Sequence, residues 1–355
     1  MFIERLSYID TAKFIAILCI VLGHSNTPLH DFLYSFHVQM FFICTGFVFF
    51  QKFNNIKDYI QQGLPKLIKR IYIPYILLVL IFNIQLKAEN IPWLLWGSDQ
   101  TVMHDKQYSF MWFLPTYFSA IVIWNILNIL LRKHKKAILP IIITFLATIS
   151  YLTRSNAELC VDAFGHTFFL TGYDATPALN CHYIGFPLNI NVAFTAVVFI
   201  YIGTLIHHIF DYTQINYNKN KAIVGLISFF IIGFVSYEIN KNYYTPIDNH
   251  INNIMLSWGA YGNYILFLIT STTISISAIC MATLIDNPIL AQIGKNTFGI
   301  YAFHPFVRNC LEILLFDFAW IMRTSVGGFI MFFATILLLP FIKKWFPFII
   351  GEKEK

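Results

Sequence analysis

Charge is scarce in this sequence. Asp, Glu, Lys and Arg supply only 12% of its 355 residues, against about a quarter in an ordinary soluble domain. That shortage excludes a typical cytosolic enzyme, a disordered chain and a nucleic-acid-binding domain. No CxxC or HxxxH pair is present, so no zinc site is expected. No stretch repeats another, and none shows the roughly ten-residue alternation of an outer-membrane barrel strand. What the chain does have is apolar length. Hydrophobic residues make up 57% and the mean hydropathy is +0.63, gathered into runs of about 17–25 residues that can cross a bilayer as helices.

The expected fold is therefore an all-α integral membrane protein with about ten transmembrane helices, over 9–27, 32–51, 70–86, 110–131, 137–153, 188–209, 221–239, 261–284, 296–314 and 326–346. The first run is flanked by Glu4 and Asp10 and lacks a small-residue cleavage site, so it reads as a retained helix. Few residues follow the last run, so a single membrane domain over 1–355 is expected, with no fused soluble domain. With the N-terminus in the cytoplasm, 18 of the 24 Lys and Arg residues fall on the inner side and five on the outer. The bias predicts an N-in, C-in orientation. The one long outer loop, 154–187, is a possible lid. It holds Cys160 and Cys181, which an oxidising exterior would let pair; two free thiols are the alternative.

Polar residues inside apolar runs carry the functional signal, because each costs free energy unless paired or used. Asp10 and Lys13 are three apart and share a helix face at the inner mouth. His24 lies eleven residues beyond Lys13, about three turns on and about 16 Å further out, on nearly the same face. Histidine titrates close to neutral pH and suits proton transfer. Ser35 and His37 open the second run, at the same outer level as His24. In the ninth run Tyr301, His304, Arg308 and Glu312 form a polar stripe, and Pro305 frees a backbone carbonyl. Lys66, Lys69 and Arg70 form an inner basic segment suited to polyanions such as nucleotide phosphates. Plain structural alternatives stand beside each: a helix-end histidine meeting water, an Arg308–Glu312 pair reaching the interface, and the ordinary positive-inside bias.

The motifs resemble those of the acyltransferase-3 family of bacterial membrane acyltransferases. Tyr8-Ile9-Asp10-Thr11-Ala12-Lys13, followed by Val21-Leu22-Gly23-His24, resembles the first-helix signature, in which ten residues separate a basic residue from a functional histidine. Ser35-Phe36-His37, Arg70-Ile71-Tyr72-Ile73-Pro74-Tyr75, Trp112-Phe113-Leu114, Gly294-Lys295-Asn296-Thr297 and His304-Pro305 resemble later motifs, in family order. Lys13 stands where arginine is common, and Gln39 where proline is frequent.

The resemblance implies transfer of an acyl group, acetyl before succinyl or longer chains, from cytoplasmic acetyl-CoA (acyl-CoA) to a hydroxyl of a cell-surface or lipid-linked sugar. It also implies a place in the bacterial cytoplasmic membrane among its lipids, with no metal and no nucleic-acid partner. Carried onto this sequence, His24 is the general base and His37 or Ser35 its orienting partner. His304 or Tyr301 donates to the oxyanion. Asp10, Lys13, Lys66, Lys69 and Arg70 attend the donor. A transient acyl group on His24 is a variant route. Two other classes remain open at this point: a sugar or lipid flippase or exporter component, and a scaffold of an envelope assembly.

Overall fold

The computed structural model describes residues 6–25, 27–82, 95–97, 109–153, 157–161, 167–171, 182–183, 186–244, 254–314, 321 and 324–351. They are overwhelmingly helical, and the chain divides into two compact units. The first comprises Met1–Phe49, Phe199–Met255 and Tyr261–Phe346; the second comprises Phe50–Val198, Leu256–Ala260 and Pro347–Lys355.

In the first unit α1 (Ser7–Gly23) is the central helix. It is apolar on every side and buries Ile9, Ala12, Ile15, Ala16, Ile17 and Ile20, as expected of a helix with neighbours all round. Those neighbours are α2 (His30–Tyr34) and α3 (His37–Phe47). They continue with α11 (Tyr264–Ile285), α12 (Pro288–Lys295), α13 (Thr297–Leu314) and α14 (Ser325–Trp345).

Small residues set the closest approaches. A Cβ on Gly294 of α12 would overlap the carbonyl oxygen of Asp10, so only glycine lets the two backbones meet there. Gly46 of α3 lies in the same way against the Ile200 carbonyl of α9 (Ile190–Thr213), and Gly203 of α9 against the Ile43 carbonyl. α10 (Lys219–Asn240) packs on α11 through Gly225 and Gly233.

The second unit holds a continuous helical run over 56–82: α4 (Ile56–Asp58), a π turn Tyr59–Gly63, α5 (Leu64–Leu67), a second π turn Ile68–Tyr72, and α6 (Ile73–Phe82). Each π turn is followed, after one intervening residue, by a proline, Pro65 and Pro74. Proline has no N–H for the carbonyl four residues back and its ring presses on that carbonyl; a wider turn relieves both problems. α7 (Phe113–Leu130), α8 (Lys135–Leu152) and the start of α9 complete the helices. Ser150 of α8 bonds the Asn191 carbonyl and the Thr195 hydroxyl, both at 2.7 Å.

Two expectations are refined. A helix overlaps each of the ten expected segments. Among the described residues six are long and apolar enough to cross a membrane: Phe113–Leu130, Lys135–Leu152, Pro187–Thr213, Lys219–Tyr243, Tyr264–Ile285 and Ser325–Trp345. The second segment, expected as one helix, breaks at Ser35 and Phe36 into α2 and α3. The long segment 154–187 also departs from an all-helical reading. Strands β1 (Ala157–Val161), β2 (Thr167–Thr171) and β3 (His182–Tyr183) form an antiparallel sheet in the order β2-β1-β3. Cys160 lies on β1, whereas Cys181, its expected partner, lies outside the described residues.

Candidate active site

α1 ends where glycine and a polar turn follow its apolar run. Gly23 is its last residue, and His24 caps it with φ −84° and ψ 0°, its N–H reaching the Ile20 carbonyl at 3.1 Å. α13 approaches this end through the polar stripe read from the sequence. Two side chains one turn apart on α13 hold His24 at two points. His304 Nε2 lies 2.6 Å from His24 Nδ1, and Arg308 Nη1 donates to the His24 carbonyl at 2.9 Å. Glu312 in turn accepts from Arg308 Nε at 2.9 Å. A guanidinium against the last carbonyls of a helix also suits the helix dipole.

The tautomers follow from the backbone. Pro305 lacks the N–H that would have bonded the Tyr301 carbonyl in a regular helix. The imidazole of His304 takes that acceptor instead. Its Nδ1 lies 2.8 Å from the Tyr301 carbonyl and 3.2 Å from that of Ile300. Carbonyls only accept, so Nδ1 of His304 carries the proton. With both rings uncharged, its Nε2 is then the acceptor, and His24 donates to it from Nδ1. Nε2 of His24 is left as a lone pair. His304 is 1% exposed, whereas His24 is half-buried. The outcome is a fixed imidazole whose basic nitrogen is the one that no described residue engages.

The orienting contact on His24 thus falls on His304, rather than on His37 or Ser35. The Ser35 hydroxyl donates to the Phe32 carbonyl at 2.6 Å, and the Ser35 carbonyl accepts from Ser271 of α11 at 2.6 Å. His37 directs its Nδ1 to the Leu33 carbonyl. Since both nitrogens of His304 are engaged, it has no proton left to donate to an oxyanion. The Tyr301 ring stands 6.1 Å from the His304 ring. Between His24 and His37 sits a residue not singled out from the sequence. Tyr34, the last residue of α2, has its ring centroid 4.8 Å from that of His37, 6.4 Å from that of His24 and 4.2 Å from that of His30.

At the opposite end of α1, Asp10 is 2% exposed and pairs with Lys13 at 3.4 Å. Asp286, just beyond α11, accepts from Ser7 at 3.2 Å and from Thr11. Lys343 of α14 bonds Asn296, the residue that caps α12. The basic segment belongs to the second unit. Lys66 lies on α5, and Lys69 and Arg70 on the second π turn, all three exposed. Pro74 frees the Arg70 carbonyl, and Gly351, at φ +68°, passes so close to it that a Cβ would overlap. Among the described residues no three His, Cys, Asp or Glu side chains converge as a metal site would require.

A family model described as an acyltransferase domain, that of acyltransferase-3, matches residues 6–343. The chain belongs to the acyltransferase-3 family. No curated protein and no solved structure matches it significantly. In this member the first-helix histidine and the ninth-segment His-Pro pair, far apart in sequence, are one hydrogen-bonded unit.

Proposed function

We propose that this protein is an integral membrane O-acyltransferase that moves an acyl group, acetyl by preference, from cytoplasmic acyl-CoA to a hydroxyl of a cell-surface or lipid-linked sugar. The observation that carries this reading is the His24–His304 pair, which presents the Nε2 lone pair of His24 in a member of an acyltransferase family. His24 removes the proton of the acceptor hydroxyl as its oxygen attacks the thioester carbon. A base so placed supplies about 10²–10⁴-fold. His304 is a positioning residue: it accepts from Nδ1 of His24 and stabilises the imidazolium that forms. His37 also directs a protonated Nδ1 at a carbonyl, but it is 3% exposed and that carbonyl belongs to its own turn.

Lys66, Lys69 and Arg70 supply electrostatic attraction for a polyanionic donor, which fits their exposure. Asp10 steadies Lys13 at the inner mouth. Ten spans with both termini in the cytoplasm agree with the helix under each expected segment and with the distribution of Lys and Arg. The bacterial cytoplasmic membrane is the matching location, because the donor is cytoplasmic and the acceptor faces outward. A flippase has no use for a fixed tautomer with a bare ring nitrogen.

The test is release of free CoA thiol from acetyl-CoA by purified protein in proteoliposomes, with candidate sugar acceptors added. Wild-type protein releases thiol in proportion to acceptor acetylated. His24→Ala, at equal protein level, releases none above the acceptor-free rate. Acetylation of acceptor at the wild-type rate by that variant rules out His24 as the base.

A further inference from the structure

Acyl transfer from a thioester creates negative charge on the carbonyl oxygen, and a site that carries it out needs a hydrogen-bond donor there. His304 cannot be that donor, because both of its nitrogens are committed, one to the Tyr301 and Ile300 carbonyls and one to His24. Arg308 spends Nε on Glu312 and Nη1 on the His24 carbonyl. Tyr34 is a further residue beside His24 that carries a donor.

We propose that Tyr34 is a catalytic residue of this site, its hydroxyl donating to the oxygen of the thioester carbonyl as the acceptor adds to it. Three observations carry the assignment. First, the Tyr34 ring neighbours the His24 ring. Its centroid lies 6.4 Å from the His24 ring, at an interplanar angle of 57°. The attacked carbon and its oxygen are one bond apart, so base and donor must lie within about a carbonyl group's reach of each other. Second, the ring is held in place. His30 stacks on it at 4.2 Å and 28°, His37 meets it edge-on at 4.8 Å, and Gly23 lies beneath it. A Cβ added to Gly23 would stand 3.2 Å from Tyr34 Cε2, so the glycine before His24 is what lets the ring lie against the end of α1. Third, the Tyr34 side chain is half-buried, yet its hydroxyl makes no hydrogen bond among the described residues. A rigid ring with an uncommitted O–H is organised in advance for a charge that develops only during reaction.

His24 Nε2 takes the proton of the acceptor hydroxyl, the acceptor oxygen bonds to the thioester carbon, and the carbonyl π pair moves onto oxygen, where the Tyr34 O–H meets it. The pair then returns, the C–S bond breaks, and the CoA sulfur leaves with the proton that His24 had held. Tyr34 keeps its own proton throughout. The assignment rests on the acyltransferase reading, and the experiment separates the two.

Tyr34→Phe removes one oxygen and leaves the packing of the ring intact. With acetyl-CoA and a working sugar acceptor, the proteoliposome assay is expected to show kcat lowered by about 10²–10³-fold, with KM for both substrates within about twofold of wild type. Replacing Tyr34 with 3,5-difluorotyrosine, a more acidic donor of nearly the same size, is expected to change kcat again while leaving acetyl-CoA binding unchanged. A purely structural ring would not respond to that substitution. A Tyr34→Phe enzyme with wild-type kcat overturns the assignment and leaves His24 as base. So does one whose acceptor KM rises while kcat holds, because the hydroxyl would then serve ground-state binding. Acetylation by His24→Ala at the wild-type rate overturns both readings.

Discussion

The end of α1 and the basic run over 56–82 use polar residues in opposite ways. At the end of α1 the polar side chains hold one another in a chain of hydrogen bonds. His304 holds one nitrogen of His24, Arg308 holds its carbonyl, and Glu312 holds Arg308. On the basic run Lys66, Lys69 and Arg70 stand exposed, and among the described residues no ion pair or hydrogen bond holds their side chains. A side chain fixed at a known tautomer can do chemistry that depends on position and proton. Cations on flexible stems can only attract, and their effect is a sum over charges. Substitutions at the first region should act steeply and individually; those at the second should act weakly and in proportion to charge.

The largest expected effect is on the folding of the first unit. Gly294→Val sets a branched side chain where even a Cβ overlaps the Asp10 carbonyl. Relief would require α12 to move off α1, and overpacking of this kind costs about 1–3 kcal/mol or more. The expected result is a clear drop in folded, monodisperse protein and in its thermal midpoint, read by size-exclusion chromatography and a fluorescence melt. Gly23→Ala is milder, because its nearest contact at 3.2 Å is a ring edge that can give. Equal stability of Gly294→Val and wild type would show that the α1–α12 approach has room for a side chain.

Next in size is the loss of the orienting acceptor. His304→Ala leaves Nδ1–H of His24 without a partner and frees the ring to turn, so activity should fall by about 10–100-fold, less than in His24→Ala. His304→Gln places a carbonyl oxygen near the position of Nε2 and should recover part of that loss; His304→Leu should recover none. A His304→Leu enzyme with wild-type kcat would mean that the tautomer is held by something other than α13.

Much of this contrast was legible in the sequence, though unevenly. The apolar runs located the helices, because length and hydropathy decide membrane helices almost alone. The break at Ser35 and Phe36 was not legible. The run holds no proline and no charged residue, and part of what meets the backbone there is Ser271, far along the chain. The stripe of His304, Arg308 and Glu312 was visible as an i, i+4, i+8 pattern, and Pro305 as the source of a freed carbonyl. Which group would take that carbonyl, and that His24 would complete the pair across 280 positions, are facts of tertiary packing. Tyr34 left a trace in its neighbours, since His30 and His37 lie four before and three after it. The basic run was legible as charge and remains describable mainly as charge, because no described residue fixes its Lys66, Lys69 and Arg70 side chains.

The smallest effect expected lies in that basic run. Lys66→Ala, Lys69→Ala and Arg70→Ala should each raise KM for acetyl-CoA by only a few-fold, since an exposed charge contributes about 0.2–1 kcal/mol. kcat at saturating donor should hold. The increments should add in the triple variant, because flexible, solvated cations act independently. They should also shrink at high ionic strength, where the screening length falls to about 3 Å at 1 M salt. Steady-state kinetics at low and high salt check all of this. If one of the three instead lowers kcat on the scale of His304→Ala, and salt leaves the loss unchanged, that residue is held in place when the donor is bound. The contrast between a fixed imidazole and diffuse cations would then apply only to the protein before it meets its donor.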